Sequence, residues 1–293
     1  MSTPVLLVSG ASGRLGRRVV ELLLERKSGH VIAGTRDPAK LVDLAAKGAE
    51  VRALDFDRPE TFATAFAGVE RALIISTDRV DVRKQPQRAA VEAAAKAGVK
   101  HAVYTSALTP RPSETNAISD SHFWTEQALA ASPMGWTVLR NGIYADTILF
   151  GLPNALKTGQ MFSATGHAGR NYVTREDCAE VAAAALASGF DGCRILDVTG
   201  PRPVTHEQIA AWVSELSGRN VAHVPLPPDG LRHALLAAGL PRPYVEGLVG
   251  FDIDTAEGFH AITTPVVKDL TGRVPTGVED FLRANVSAIR AAA

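Results

Sequence analysis

The chain has 293 residues, with 31 Lys plus Arg against 31 Asp plus Glu, so its formal net charge is zero; 46% of its residues are hydrophobic. That length can bury a sizeable core in one large domain or in a domain with a smaller companion. A neutral balance gives no electrostatic footprint for nucleic acid or for an anionic membrane surface, so a small molecule is the expected partner.

In chain order, short β-branched runs alternate with Ala- and Leu-rich segments about three turns long, the pattern of strand-helix-strand units in a parallel sheet. Strands are predicted at 5–9, 31–35, 51–54, 71–75, 101–104, 137–139 and 195–198, with helices near 14–26, 38–47, 59–67, 84–97, 121–131 and 176–188. Gly48 and Gly98 stand where helices should end. Beyond residue 200 prolines cluster at 201–203, 225–228 and 241–243, and two amphipathic segments near 205–217 and 229–239 have no strand predicted between them. The expected fold is α/β: a Rossmann-type doubly wound parallel sheet with a smaller, mainly helical C-terminal substrate region. The expected division is an NADP-binding domain over 1–145, with 172–200 returning to it, and a substrate-binding region over 146–171 and 201–293.

Cys178 and Cys193 form no CxxC pair and match no zinc-ligand spacing, so both read as buried thiols and no metal is expected. Apolar runs such as VAAAALA at 181–187 fall far short of the roughly 20 residues of a membrane span, and no export signal is visible. A cytoplasmic protein is the expectation. An apolar helix face can be covered within the fold or by a second copy, which leaves a homodimer open.

The first strand runs into GASGRLG, residues 10–16. Here Gly10 ends the strand in a turn that a side chain would obstruct, Gly13 lets backbone approach a ligand, and Gly16 lets the new helix pack on the sheet. Free amides at the helix start, aided by aligned peptide dipoles, favour a pyrophosphate. The second strand ends in GTRDPAK, with Thr35 and Arg36 where an NAD site usually has an acid. Arg36, with Lys40 and Arg14, suits a 2′-phosphate, so NADPH (or NADP+) is the expected cofactor. The competing reading gives Asp37 the acid's task and makes the cofactor NAD.

Many short-chain reductases use a Tyr-x-x-x-Lys pair, whose lysine lowers the tyrosine pKa. Four residues beyond Tyr104, Tyr144, Tyr172 and Tyr244 stand Leu108, Ile148, Glu176 and Leu248, so that chemistry is excluded.

Six segments together carry a resemblance: GASGRLG, TRDPAK, GVKHAVYTSAL, SHFWTEQAL, WTVLRNGIYAD and YVTREDCAEVAAAAL. They resemble the NmrA-like, atypical short-chain dehydrogenase/reductase family, and within it the type 2 NAD(P)H:quinone oxidoreductases and triphenylmethane dye reductases. The resemblance implies NADPH-dependent reduction of quinones or extended dyes without flavin, in a cleft between the Rossmann domain and the C-terminal part. It puts Gly10, Ser12, Gly13, Arg14, Leu15 and Gly16 at the pyrophosphate loop, Arg36 and Lys40 on the 2′-phosphate, and Asp55 and Phe56 by the adenine. Ser76 and Thr77 would run under the cofactor, with Thr105, Ser106 and the stretch Asn141, Ile143 and Tyr144 near the nicotinamide. Gln127 departs from a lysine found in many relatives. Tyr144 or His122 could deliver a proton, and Phe150, Phe123 and Trp124 could line an aromatic slot, with core packing as the simpler expectation for the three aromatics. Two other readings stand beside the quinone reductase: an NADP(H)-sensing regulatory protein of the NmrA type, and a reductase of imines or conjugated carbonyl compounds.

Overall fold

A computed structural model describes residues 3–80, 82–114 and 116–292. The amino-terminal part alternates as the residue pattern requires. Its elements are β1 (Val5–Val8), α1 (Arg14–Glu25), β2 (His30–Thr35), α2 (Val42–Ala46), β3 (Glu50–Ala53), α3 (Phe62–Phe66), β4 (Arg71–Ile74), α4 (Lys84–Lys96), β5 (His101–Ala107), α5 (Ala117–Ala130) and β6 (Gly135–Asn141). The chain continues through β7 (Ile143–Tyr144), α6 (Ile148–Thr158), β8 (Gln160–Ser163), β9 (Arg170–Val173), α7 (Arg175–Ala187), β10 (Cys193–Val198), β11 (Pro203–Val204), α8 (His206–Ser217), β12 (Ala222–Pro225), α9 (Pro228–Ala237) and α10 (Arg242–Ala256). It ends in α11 (Val266–Thr271), α12 (Val278–Ala284) and α13 (Val286–Ala291).

Among the described residues, seven strands form a parallel sheet in the order β10-β6-β5-β4-β1-β2-β3. Leu6, Leu7 and Val8 of β1 and Ala72, Leu73 and Ile74 of β4 are fully buried, which a strand covered by helices on both faces demands. The helix α1 turns Leu15, Val19, Val20, Leu22 and Leu23 inward at helical spacing. The helices α2 and α4 end where expected: Gly48 and Gly98 adopt φ of +103° and +86°, a left-handed geometry that favours glycine.

The chain forms two compact units: one takes in residues up to Pro112, Ile118–Arg140 and Cys178–Leu196, the other Ser113–Ala117, Asn141–Asp177 and residues from Asp197 on. Buried Arg71, at the start of β4, explains the return of α7 to the first unit. Its Nε donates to the Leu186 carbonyl at 2.8 Å and its NH1 to that of Phe190 at 3.0 Å, satisfying carbonyls that the helix end leaves bare.

The second unit has more strand than the proline-rich sequence suggested. The strand β12 lies between α8 and α9 and pairs in parallel with β8, Ala222 to Pro225 against Gln160 to Ser163; β11, β9 and β7 form another small sheet. Short pieces ending in proline remain edge strands, which the alternation rule misses. The helix α8 is stapled by a capping box of Thr205 and Gln208, and its apolar face packs Ile209, Ala210 and Val213 into this unit's core. The expectation for the cysteines holds for Cys178, which is buried, and fails for Cys193, which is exposed because it begins the edge strand β10. No helix among the described residues is long and apolar enough to cross a membrane.

Candidate functional site

The strand order reverses between β1 and β4, and in open α/β sheets ligands bind at the strand carboxyl ends beside that switch. The glycine loop lies there, tied down on both sides: Ser9 N–H donates to the Leu73 carbonyl and Ala11 N–H to that of Gly34, both at 2.9 Å. Gly10 has φ +61°. A Cβ on Gly16 would lie 2.5 Å from the Gly10 oxygen and 2.8 Å from its carbonyl carbon. The third glycine therefore serves close approach to the loop's own backbone, a more local reason than packing on the sheet.

The amide of Gly13 is already spent on the Gly10 oxygen at 2.9 Å. The free donors are those of the helix's first turn, Arg14, Leu15 and Gly16, which have no intrahelical carbonyl to bond. Gly13 caps α1 without a side-chain bond, and no acid stands in the first turn. A helix start with bare amides, no competing carboxylate and a cradle that excludes a Cβ fits a pyrophosphate. Leu15 keeps its side chain in the core, so only its backbone can serve a ligand.

At the end of β2, Thr35 donates to Ser12 Oγ at 3.0 Å and so joins the glycine loop to the segment that follows. Asp37 Oδ1 accepts from Ala39 N–H at 3.1 Å and caps the short helical turn Pro38–Leu41. That commitment weakens the reading in which Asp37 holds a ribose hydroxyl. Arg14, Arg36 and Lys40 are all exposed, and none forms an ion pair among the described residues, whereas Arg17 is spent on Asp43 at 2.5 Å.

Of the residues expected at the adenine, Asp55 holds its own turn by accepting from Asp57 N–H at 3.1 Å. Phe56 is buried and meets Phe62 edge-on, ring centroids 6.2 Å apart. At the ends of β4 and β5, Thr105 Oγ1 accepts from Ser76 N–H at 2.9 Å, and Ser106 Oγ donates to Glu126 at 2.7 Å. Arg140 grips the same carboxylate with two bonds, at 3.0 and 2.6 Å. The sequence reading missed this Glu126–Arg140 pair, since nothing local says that α5 and β6 bring the two residues together.

His122, on α5, is buried, its Nδ1 2.8 Å from the Tyr104 hydroxyl of β5. Burial, with Arg83 adding a like charge, pushes its pKa well below the usual 6.5. A buried imidazole held neutral is a poor proton donor at neutral pH. Gln127 is exposed while its neighbours Thr125 and Glu126 are buried.

In the second unit, Asn141 and Tyr144 meet where β6 ends: Asn141 Nδ2 donates to the Tyr144 hydroxyl at 3.1 Å. Asn141 Oδ1 is buried without a hydrogen-bond partner among the described residues. The Arg175 guanidinium lies 5.4 Å from the centre of the Tyr144 ring, and Asp146 holds it there at 2.6 Å. Ile143, beside them, is half-buried and pairs with Tyr172 of β9. Phe150 is 69% and Trp124 39% exposed, so core packing does not account for either. Phe123 is half-buried against Trp124, ring centroids 5.2 Å apart.

Sheet order, glycine cradle and uncapped helix start together define a dinucleotide-binding protein of the Rossmann class. A family model described as NAD(P)H-binding matches residues 10–189. Quinone oxidoreductase 2 of Escherichia coli (strain K12) is 33% identical over 255 residues, 87% of this chain and 89% of that protein. NAD(P)H azoreductase of Xenophilus azovorans is 27% identical over 288 residues, 98% and 100% of the two chains. A crystal structure of NADPH-dependent quinone oxidoreductase from Escherichia coli with NADPH matches at a TM-score of 0.90 and 31% identity, over 95% of this chain and 99% of that one. Triphenylmethane reductase of Citrobacter sp. with NADP(H) matches at 0.87 and 30%, over the same shares. The chain belongs to this NAD(P)H-binding family and is an NAD(P)H-dependent oxidoreductase.

Proposed function

We propose that the chain reduces a quinone or a similarly conjugated acceptor with NADPH and without flavin. The observation that carries the choice of NADPH is the set of exposed cations Arg14, Arg36 and Lys40, without ion pairs among the described residues, near a β2 end whose next acid in the chain, Asp37, is bonded to Ala39. The acceptor class is supported by relatives named for quinones, azo compounds and triphenylmethane dyes.

Bound NADPH would supply a hydride, which an electron-poor ring accepts to give a stabilised anion needing one proton. The chain's task is then positioning and exclusion of water rather than strong acid catalysis, so the absent Tyr-x-x-x-Lys pair is no obstacle. We assign the first-turn amides of α1 to the pyrophosphate and Arg36 with Lys40 to the 2′-phosphate. Tyr144 is the better proton source of the two candidates. Its ring is half-buried at the end of β7, with the hydroxyl 3.1 Å from Asn141 Nδ2, whereas His122 is buried and neutral.

The test is acceptor-dependent loss of NADPH absorbance by flavin-free protein, with NADH in parallel, against simple quinones and a cationic triphenylmethane dye. Turnover that prefers NADPH is expected. Tight NADPH binding with no turnover on any of them would refute the quinone and dye assignment; turnover only on enones or imines would move the acceptor class there.

A further inference from the structure

We propose that Gln87, within α4, is a positioning residue for the nicotinamide half of the dinucleotide site, acting through the backbone of Thr77. The proposal rests on the reading that the glycine loop binds NADP(H).

Past Ile74 the chain leaves the sheet, and its next amides have no neighbouring strand to pair with. Each of the three is taken by a side chain. Ile75 N–H donates to Ser9 Oγ at 2.8 Å, Ser76 N–H to Thr105 Oγ1 at 2.9 Å and Thr77 N–H to Gln87 Oε1 at 3.0 Å. The Thr77 carbonyl accepts from Arg83 at 3.1 Å. With its amide donors consumed, this segment can offer a ligand only carbonyl acceptors and side-chain hydroxyls, groups that suit ribose hydroxyls. Its place agrees. The strand β4 begins the half of the sheet beyond the switch point, and a dinucleotide crossing that point lays its adenosine over β1–β3 and its nicotinamide riboside over β4–β6.

Gln87 is 0% exposed, and its amide can point only one way. Its Nε2 donates to the Tyr104 hydroxyl and to Thr125 Oγ1, each at 3.1 Å. The Thr125 proton is already spent on the Ser121 carbonyl at 2.7 Å. Tyr104, receiving from Gln87, passes its own proton to His122 Nδ1, which requires a neutral imidazole protonated at Nε2. Turning the amide over would set its NH2 against the Thr77 N–H. Arg83 is anchored in turn by Ser121 Oγ at 2.6 Å and the Ile118 carbonyl at 3.0 Å. A core built for stability alone would fill this space with apolar side chains, because each buried polar group carries a desolvation cost. A bond chain in which each member has one allowed direction instead fixes one geometry, here that of the backbone at Thr77.

The experiment compares binding of NADPH with binding of 2′,5′-ADP, which carries the adenosine and 2′-phosphate but no nicotinamide, in wild type, Gln87→Leu and the milder Tyr104→Phe. Expected for Gln87→Leu is a loss of NADPH affinity of about tenfold or more, with 2′,5′-ADP held within about twofold and kcat reduced. Tyr104→Phe keeps the Thr77 contact but loosens Gln87, and should show the same selectivity at about threefold; should Gln87→Leu fail to fold, this variant decides by the same ratio. Unchanged NADPH affinity, or equal weakening of both ligands, overturns the proposal. A wild type that binds neither ligand overturns the dinucleotide reading itself, a different outcome from either.

Discussion

Replacing Arg36 by alanine tests the cofactor assignment most directly. Its guanidinium is exposed and makes no ion pair among the described residues, so the fold should be untouched. A charge-assisted hydrogen bond is worth about 1.5–3 kcal/mol. Because the group is hydrated before binding, the lower half of that range applies, about 1.5–2 kcal/mol or roughly 12–30-fold in affinity. NADH has a hydroxyl where NADPH has the phosphate, and should lose less than about threefold. Lys40→Ala and Arg14→Ala should cost less and lose most of their effect at high salt, since exposed charges are screened. The assay is fluorescence titration of both nucleotides, supported by the ratio of their KM values. Equal losses for NADPH and NADH in Arg36→Ala would refute the reasoning and return the acid's role to Asp37.

Gly16→Ala should keep the fold by circular dichroism but lower cofactor affinity by about tenfold or more, because overpacking against backbone costs about 1–3 kcal/mol. The new Cβ would sit 2.5 Å from the Gly10 oxygen; wild-type affinity would show that the loop is a mere turn. Tyr144→Phe should reduce turnover modestly, with quinone reduction surviving at about a tenth or more, since hydride transfer to a quinone needs no strong acid. Total loss would point to an acid-dependent carbonyl reduction. His101 is buried, and burial first, then the nearby Arg71 and Arg194, lower its pKa to about 4 from 6.5. The unfolded chain therefore takes up this proton first, so its contribution is whole above pH 6.5 and is lost as pH falls toward 4. Urea unfolding should lose up to about 1.4 kcal/mol per pH unit through that window, and His101→Gln should flatten the slope; an unchanged slope counts against the assignment.

The local signals carried far. Apolar runs located the seven strands of the main sheet and the helices between them, Gly48 and Gly98 marked helix ends, and the spacing of Gly10, Gly13 and Gly16 marked the turn between β1 and α1, all within a few residues of their places. Reading on from the four tyrosines one by one, without any structure, found no Tyr-x-x-x-Lys pair. Each of these depends on neighbours in the chain, where backbone geometry and side-chain period are written directly.

What escaped depends on residues far apart. The pairing of β12 with β8 joins segments some sixty positions apart, Arg71 reaches Leu186 across 115 positions, and Gln87 finds Thr125 across 38. Nothing near His122 shows that Tyr104 will meet it, and nothing near Cys193 shows that its strand lies at an edge. The sequence by itself determined the α/β class and the place of the glycine loop between β1 and α1, because both arise from local backbone requirements. Only the tertiary structure decided which polar side chains are spent on one another and which stay exposed, because burial and partnership are set by the packing of distant segments against one another.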